Sequence, residues 1–266
     1  MSLAQLRRSL LDQGWTVLWY ALGVVLYCEL IVALWPTVKE NSGLFAKYIA
    51  QLPEAMTKAF GIADMTRFEG FIGGEILNFM WPLIISVFVI MAASAVVGGE
   101  MDRGTFELWL SVPRSRVTLL SAKLVAILAG AIVIVAATVI AIAVGAAVAR
   151  EALDQRGTVA AAIVLASFPV CVGGYTALFS AIFATRATAA GLAAAITVGS
   201  YLLGIVSGLS PDVEWLKYFA LTTAYHPQRA LLDGTVDPLE VAALLAIGLA
   251  GAIGSLLVFR RRDLAV

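Results

Sequence analysis

The chain has 266 residues, 61% of them hydrophobic and only 14% charged, with 18 basic and 18 acidic side chains and a formal net charge of zero. Soluble globular domains run nearer half apolar and a quarter charged. Together with a mean hydropathy of +0.93, this composition excludes a soluble domain and describes a membrane protein.

Apolar runs predict spans at residues 15–35, 71–97, 119–148, 159–184, 187–207 and 239–259. Each is long enough to cross a hydrocarbon layer of about 30 Å, which takes roughly 20 helical residues. The runs are continuous rather than alternating, which selects helices over barrel strands. The expected fold class is an all-α membrane protein, a single transmembrane domain over 1–266.

Ahead of the first span, residues 2–13 place Leu3, Leu6, Leu10 and Leu11 on one face and Gln5, Arg8, Ser9 and Asp12 opposite. That pattern predicts an amphipathic elbow helix lying in the headgroup plane, with Gly14 as the bend into the bilayer. Trp15, Trp19, Tyr20 and Trp35 near the ends of the span are interfacial aromatics. Cys28 reads as a packed thiol, because bulky Tyr27 before it does not suit lipidation. Neither it nor Cys171 has metal-type spacing. Glu29 lies well inside the span, about 21 Å along the helix from Trp15. Acids in lipid are costly and mark substrate paths or subunit seams, unless they snorkel outward or stay protonated. Glu75 and Asn78, at the start of the second span, carry the same two readings.

Between these spans, Leu44, Tyr48, Ile49, Leu52, Met56 and Phe60 are spaced for an amphipathic helix interrupted at Pro53. The third span, about 45 Å long as a helix, must tilt or project beyond the bilayer. Pro169 and the pair Gly173-Gly174 predict a kink in the fourth. The short turn at 185–188 makes the fourth and fifth spans tight antiparallel neighbours. The fifth carries two stripes of small residues, Gly191, Ala195, Gly199 and Ser200, Gly204, Gly208, which let helix backbones approach closely. Beyond it, residues 215–232 are half apolar and broken by Pro227, as a re-entrant or interfacial helix pair would be. Basic residues concentrate in the short connections that share a side with the N-terminus, placing both termini in the cytoplasm of a cell with this chain in its plasma (inner) membrane.

No Walker A loop and no HExxH occur, and His226 is the only histidine, read as a turn or headgroup contact. No catalytic site, cofactor site or metal site of its own is expected. The informative stretch is the charged insertion between the second and third spans. Glu100, Asp102 and Arg103 precede Gly104, and Thr105 can cap a short helix beginning at Phe106. Phe106, Trp109, Leu110 and Val112 then offer an apolar surface beside Glu107 and Arg103. Pro113 stops the helix, and Arg114, Arg116 and Lys123 follow. Aromatic and arginine anchors are what protein interfaces favour; a loop resting its basic residues on anionic lipid is the plainer alternative.

The string Glu100-x-x-x-Gly104-Thr105-x-Glu107-x-x-Leu110-Ser111-x-Pro113-x-x-Arg116 resembles the permease subunits of type-2 ABC transporters. The layout agrees from end to end: elbow helix, six spans, outer helices before the last span, basic tail. The resemblance implies that residues 106–111 form a cytoplasmic coupling helix docking on a separate ATPase, where ATP and magnesium are bound. It implies two ATPases, a second copy of this chain, surrounding lipid and no nucleic acid as partners, in an exporter. Trp109 departs from the pattern, where Leu is usual, which bears on partner choice. It also implies a seam including the first and fifth spans, to which Glu29, Glu75, Asn78, Gly199, Gly204 and Gly208 are the candidate contributors. The rival functions are an ion-coupled secondary transporter, which needs buried mid-bilayer carboxylates, and a membrane-bound lipid enzyme, which needs a compact acid or histidine site.

Overall fold

In hydrocarbon every backbone N–H and C=O must find a partner within the protein, so an apolar chain of this composition folds as helices. The computed structural model describes residues 3–52, 57, 65–99, 116–183 and 185–261. Among them are 6 helices long and apolar enough to cross a membrane: Leu6–Glu40, Phe68–Ser94, Val117–Ala149, Gln155–Ile182, Arg186–Leu209 and Pro238–Arg261. They alternate in direction. One face of the bundle, the terminal face, carries the start of the first helix, the end of the sixth, the exit of the second span and the turn before Arg186. The opposite, distal face carries the remaining connections.

The second, third and fourth spans form the core, with 56%, 50% and 61% of their most apolar windows buried, against 17%, 22% and 28% for the first, fifth and sixth. The first span packs chiefly along the third, and the sixth along the fourth. Glycines set the second of these contacts. A Cβ on Gly174 would fall on the carbonyl of Gly248, and one on Gly251 would fall on the backbone of Gly174, so the two helices touch backbone to backbone. The glycine of the expected kink thus serves close approach, inside a helix that runs unbroken through Pro169. Cys28 and Cys171 are both fully buried thiols.

Two expectations are corrected, and the second span adds a feature of its own. The first helix is continuous from Leu3 to Glu40, with no break at Gly14. Glycine inside a helix costs only about 0.5–1 kcal/mol, too little to interrupt so long an apolar run. The distal connection before the sixth span is not a helix pair: it is two 3-10 stretches, Pro211–Phe219 and Leu221–Ala224, then one short α-helix, Pro227–Asp233. Its prolines and the left-handed Gly234 that ends it (φ 65) keep each piece short. The second span is not uniformly α-helical, since Gly73–Met80 is a π-helix between α-helical Phe68–Ile72 and Trp81–Ser94. In the connection after the first span, Ser42–Ile49 is helical as expected, while Pro53, Met56 and Phe60 lie outside the described residues.

On the distal face, Glu151 ties two helix ends together. Its Oε1 accepts hydrogen bonds from Lys39 Nζ at 2.6 Å and Trp35 Nε1 at 2.9 Å. These bonds, Lys39 first, hold its carboxyl below the ordinary carboxylate range.

Two outcomes follow from this packing. Gly174→Ala should lower the unfolding temperature in detergent by several degrees, whereas Gly14→Ala, with nothing near its Cβ position, should hold or raise it. Equal behaviour of the two variants would contradict the backbone contact. Glu151→Ala should cost about 1–3 kcal/mol at neutral pH, mainly by orphaning the buried Trp35 N–H, since the Lys39 pair is exposed and screened. A folded value below the unfolded one means the ionic contribution is complete above the usual carboxylate range and lost as pH falls through the depressed value. The gap between parent and variant should therefore narrow below about pH 4.

Candidate functional site

Pro82 is the second residue past the π-helix and has no N–H. An α-helical turn would draw that donor to the carbonyl of Asn78, and a π-turn to the carbonyl of Leu77. Only one donor is missing, and tyrosines from elsewhere in the chain reach both carbonyls. Tyr225 Oη donates to the Leu77 carbonyl at 3.0 Å, and Tyr201 Oη donates to the Asn78 carbonyl at 3.2 Å. Two further donors reach carbonyls at this end of the span: Tyr27 Oη to Glu75 within the π-helix at 3.2 Å, and Gln228 Nε2 to Gly70 just before it at 2.9 Å. The π-helical half of the second span is therefore held by the first span, the fifth span and the distal connection at once. Single π-helical turns inside helices recur at functional positions.

Tyr225 is 4% exposed, packs against Phe168 with ring centroids 4.7 Å apart, and stacks on Trp81 at 6.4 Å. Burial pushes its hydroxyl well above the ordinary tyrosine range, so it stays a donor. Trp81 in turn donates Nε1–H to Thr138 Oγ1 of the third span at 2.9 Å. Gln228 accepts from Asn78 Nδ2 at 2.6 Å, while Asn78 Oδ1 is buried among the described residues without a partner.

A cavity of about 430 Å³ opens beside this hub on the distal face. Asn78, Phe79, Tyr201, Gln228 and Arg229 line it, with Gly204 and Gly208 of the fifth span on another side. Its size falls within the range of small-molecule sites. At its lining, His226 Nδ1 contacts Glu240 Oε2 at 3.0 Å, and Arg229 Nη1 lies 3.8 Å from Glu240 Oε1. That carboxylate joins the short distal helix to the first turn of the sixth span. His226 is thus a turn residue with a specific partner, a pairing fourteen positions apart that helical spacing does not reveal.

The structure gathers some of the predicted residues and separates others. Asn78, Gly204 and Gly208 meet at the cavity. Glu29 is half-buried on the first span and does not line it; Glu75 is half-buried on the face toward Tyr27. The two small-residue stripes of the fifth span part company. Ser200 Oγ accepts the Leu221 N–H, and a Cβ on Gly204 would strike Thr222 Oγ1, so these two residues pack against the chain's own distal connection. Gly191 and Gly199 have no atom near their Cβ positions, and that face is open. Of the expected docking residues, Glu100, Arg103, Gly104, Thr105, Phe106, Glu107, Trp109, Leu110, Val112 and Pro113 lie outside the described residues, and Arg116 is the first residue of the third span's helix. Among the described residues there is no group of three metal-ligating side chains.

The sequence analysis missed Pro82, Tyr201, Tyr225 and Gln228. Pro82 itself was the available signal, because a proline inside a spanning run demands an outside donor for carbonyls four or five residues earlier. Tyr225→Phe should cost about 1–3 kcal/mol in detergent unfolding by orphaning the Leu77 carbonyl. Pro82→Ala restores a backbone donor, so the same Tyr225→Phe change should cost markedly less in that background. An identical cost in both backgrounds would show that the tyrosine does not stand in for the missing N–H.

Residues 8–264 match the family model described as ABC-2 family transporter protein. No curated protein matches the chain. The match covers nearly the whole sequence and is consistent with the six apolar helices. This chain belongs to the ABC-2 transporter family and is a multi-pass membrane permease of an ABC transporter.

Proposed function

We propose that this chain is the transport subunit of an ATP-driven exporter, working as a pair of copies with two ATPase subunits that bind ATP and magnesium. The observation that carries the reading is the placement of the insertion 100–115. It joins the exit of the second span to the start of the third, the two helices that meet at the core through Trp81 and Thr138. A push on the insertion acts directly on both.

The mechanism is mechanical. When ATP closes the partner ATPases, the helix expected at 106–111, flanked by Glu100, Arg103 and Arg116, moves with them and displaces the inner end of the second span. At its far end that span is fastened to the distal connection and the fifth span by Tyr225, Gln228 and Tyr201. Displacement there changes the grip on residues 210–234, which cap the distal cavity. Access then alternates between the two faces. The chain contributes binding and transmission, and hydrolysis belongs to the partner.

The slight burial of the first and fifth spans supports placing a second copy against them, with Gly191 and Gly199 on the open face of the fifth. Orientation follows the basic residues, with both termini and the insertion in the cytoplasm and the membrane the plasma membrane.

Replacing Phe106 and Leu110 together by Asp should abolish co-purification of the ATPase with a tagged chain while leaving membrane insertion intact. Survival of the complex through that double change would reject the docking assignment.

A further inference from the structure

The second span ends at Ser94, and the last carbonyls of a helix have no partner of their own. In this chain two of them are answered from other spans. Ser180 Oγ, fully buried on the fourth span, donates to the Ser94 carbonyl at 2.8 Å. The same oxygen accepts the backbone N–H of Val97 at 3.2 Å and of Gly98 at 3.1 Å. Arg186, first residue of the fifth span, donates from Nη2 to the Met91 carbonyl at 3.1 Å. Gly98 lies so close to the turn before that span that a Cβ there would sit 3.0 Å from the Arg186 nitrogen and 3.2 Å from the Thr185 carbonyl carbon.

One hydroxyl thus makes three hydrogen bonds to the backbone where the second span gives way to the insertion. The arrangement spends all the capacity of a serine side chain, one donor and two acceptor positions. All three partners lie between Ser94 and Gly98, so the hydroxyl fixes the path of the chain out of the helix. It does so from a different span. A displacement of the insertion cannot bend the chain freely at residues 95–98; it must carry the inner ends of the fourth and fifth spans with it or break buried bonds.

We infer that Ser180 is a positioning residue that makes the exit of the second span a stiff joint, through which movement of the insertion reaches the fourth span and, by way of it, the distal cavity. This rests on the coupling role proposed above. The fourth span is the element with the access to deliver that movement: its middle carries Phe168 against Tyr225, and Tyr175 shares a hydrogen bond with Thr197 of the fifth span. Without the hydroxyl, the exit becomes a flexible tether and the insertion can follow the ATPase while the spans stay behind.

The test uses the complex of the chain with its co-purified ATPase in nanodiscs. A cysteine placed at exposed Thr223, beside the cavity, reports through its rate of reaction with a membrane-impermeant maleimide; Cys28 and Cys171 are fully buried and serve as silent background. In the parent, trapping with ATP, magnesium and vanadate should change that rate severalfold. Ser180→Ala should reduce the change to less than twofold while ATP turnover stays within twofold of the parent, and Ser180→Thr should restore it. Amide exchange at Val97 and Gly98 should quicken at least tenfold in Ser180→Ala. If that variant fails to fold, Ser180→Cys, similar in size with weaker sulfur hydrogen bonds, takes its place with the same expectations. A Ser180→Ala or Ser180→Cys complex that keeps the full nucleotide response, or slow exchange at both amides, would overturn the inference alone. A parent with no nucleotide response would overturn the coupling reading as well.

Discussion

The N–H that Pro82 withholds from the carbonyls of Leu77 and Asn78, either of which it would serve, is the constraint around which the distal half of this protein is arranged. Water would satisfy them in a soluble protein; hydrocarbon offers nothing. The chain answers with hydroxyls from the fifth span and from the distal connection, Tyr201 and Tyr225, at 3.2 and 3.0 Å. Each bond that stabilises the irregular helix therefore also fixes the position of another element. A long straight α-helix would satisfy itself and could slide past its neighbours. A broken one has to be held.

The other end of the same span repeats the logic. Its final carbonyls are met by Ser180 and Arg186 rather than by a further helical turn. The second span is thus gripped at both ends by side chains from other helices and buried along its middle. Such a member can transmit displacement because it has few independent ways to move. By contrast the first, fifth and sixth spans turn large apolar surfaces outward, among them Leu22, Leu26 and Leu30 of the first and Leu202 of the fifth. Those surfaces meet lipid or protein; the polar groups that determine shape are turned inward.

The composition and the hydrophobic periodicity made the number and placement of the spans legible, because apolar length is a local property of sequence. Span ends were right to within a few residues for every helix but the first, which runs from Leu6 to Glu40 against the expected 15–35. What lay beyond local reading was any feature that depends on which helices touch. The π-helix of Gly73–Met80 is set by donors up to about 150 positions away in sequence. Gly174 was legible as a breaker but its use, against the backbone of Gly248, needed the partner helix. Gly204 was legible as a small residue at a contact, and the contact proved to be with Thr222 of the same chain. Asn78 was singled out as a polar group in a span, yet its bond to Gln228 depends on a distal connection whose path is fixed by prolines and short 3-10 turns. The first helix runs unbroken through Gly14, where a bend between two elements was expected, for the opposite reason: a local preference of under about 1 kcal/mol yielded to the helix on either side.

The central claim is that the second span links the insertion at 100–115 to the distal cavity as one mechanical unit. Density maps of the complex with its ATPase, one nucleotide-free and one trapped with ATP, magnesium and vanadate, test it most directly. The account predicts that closure of the ATPases displaces the insertion and, in the same map, alters the contacts of Tyr225 with Leu77 and of Tyr201 with Asn78, changing the shape of the cavity beside them. Closed ATPases beneath a second span and a distal cavity unchanged from the nucleotide-free map would contradict it.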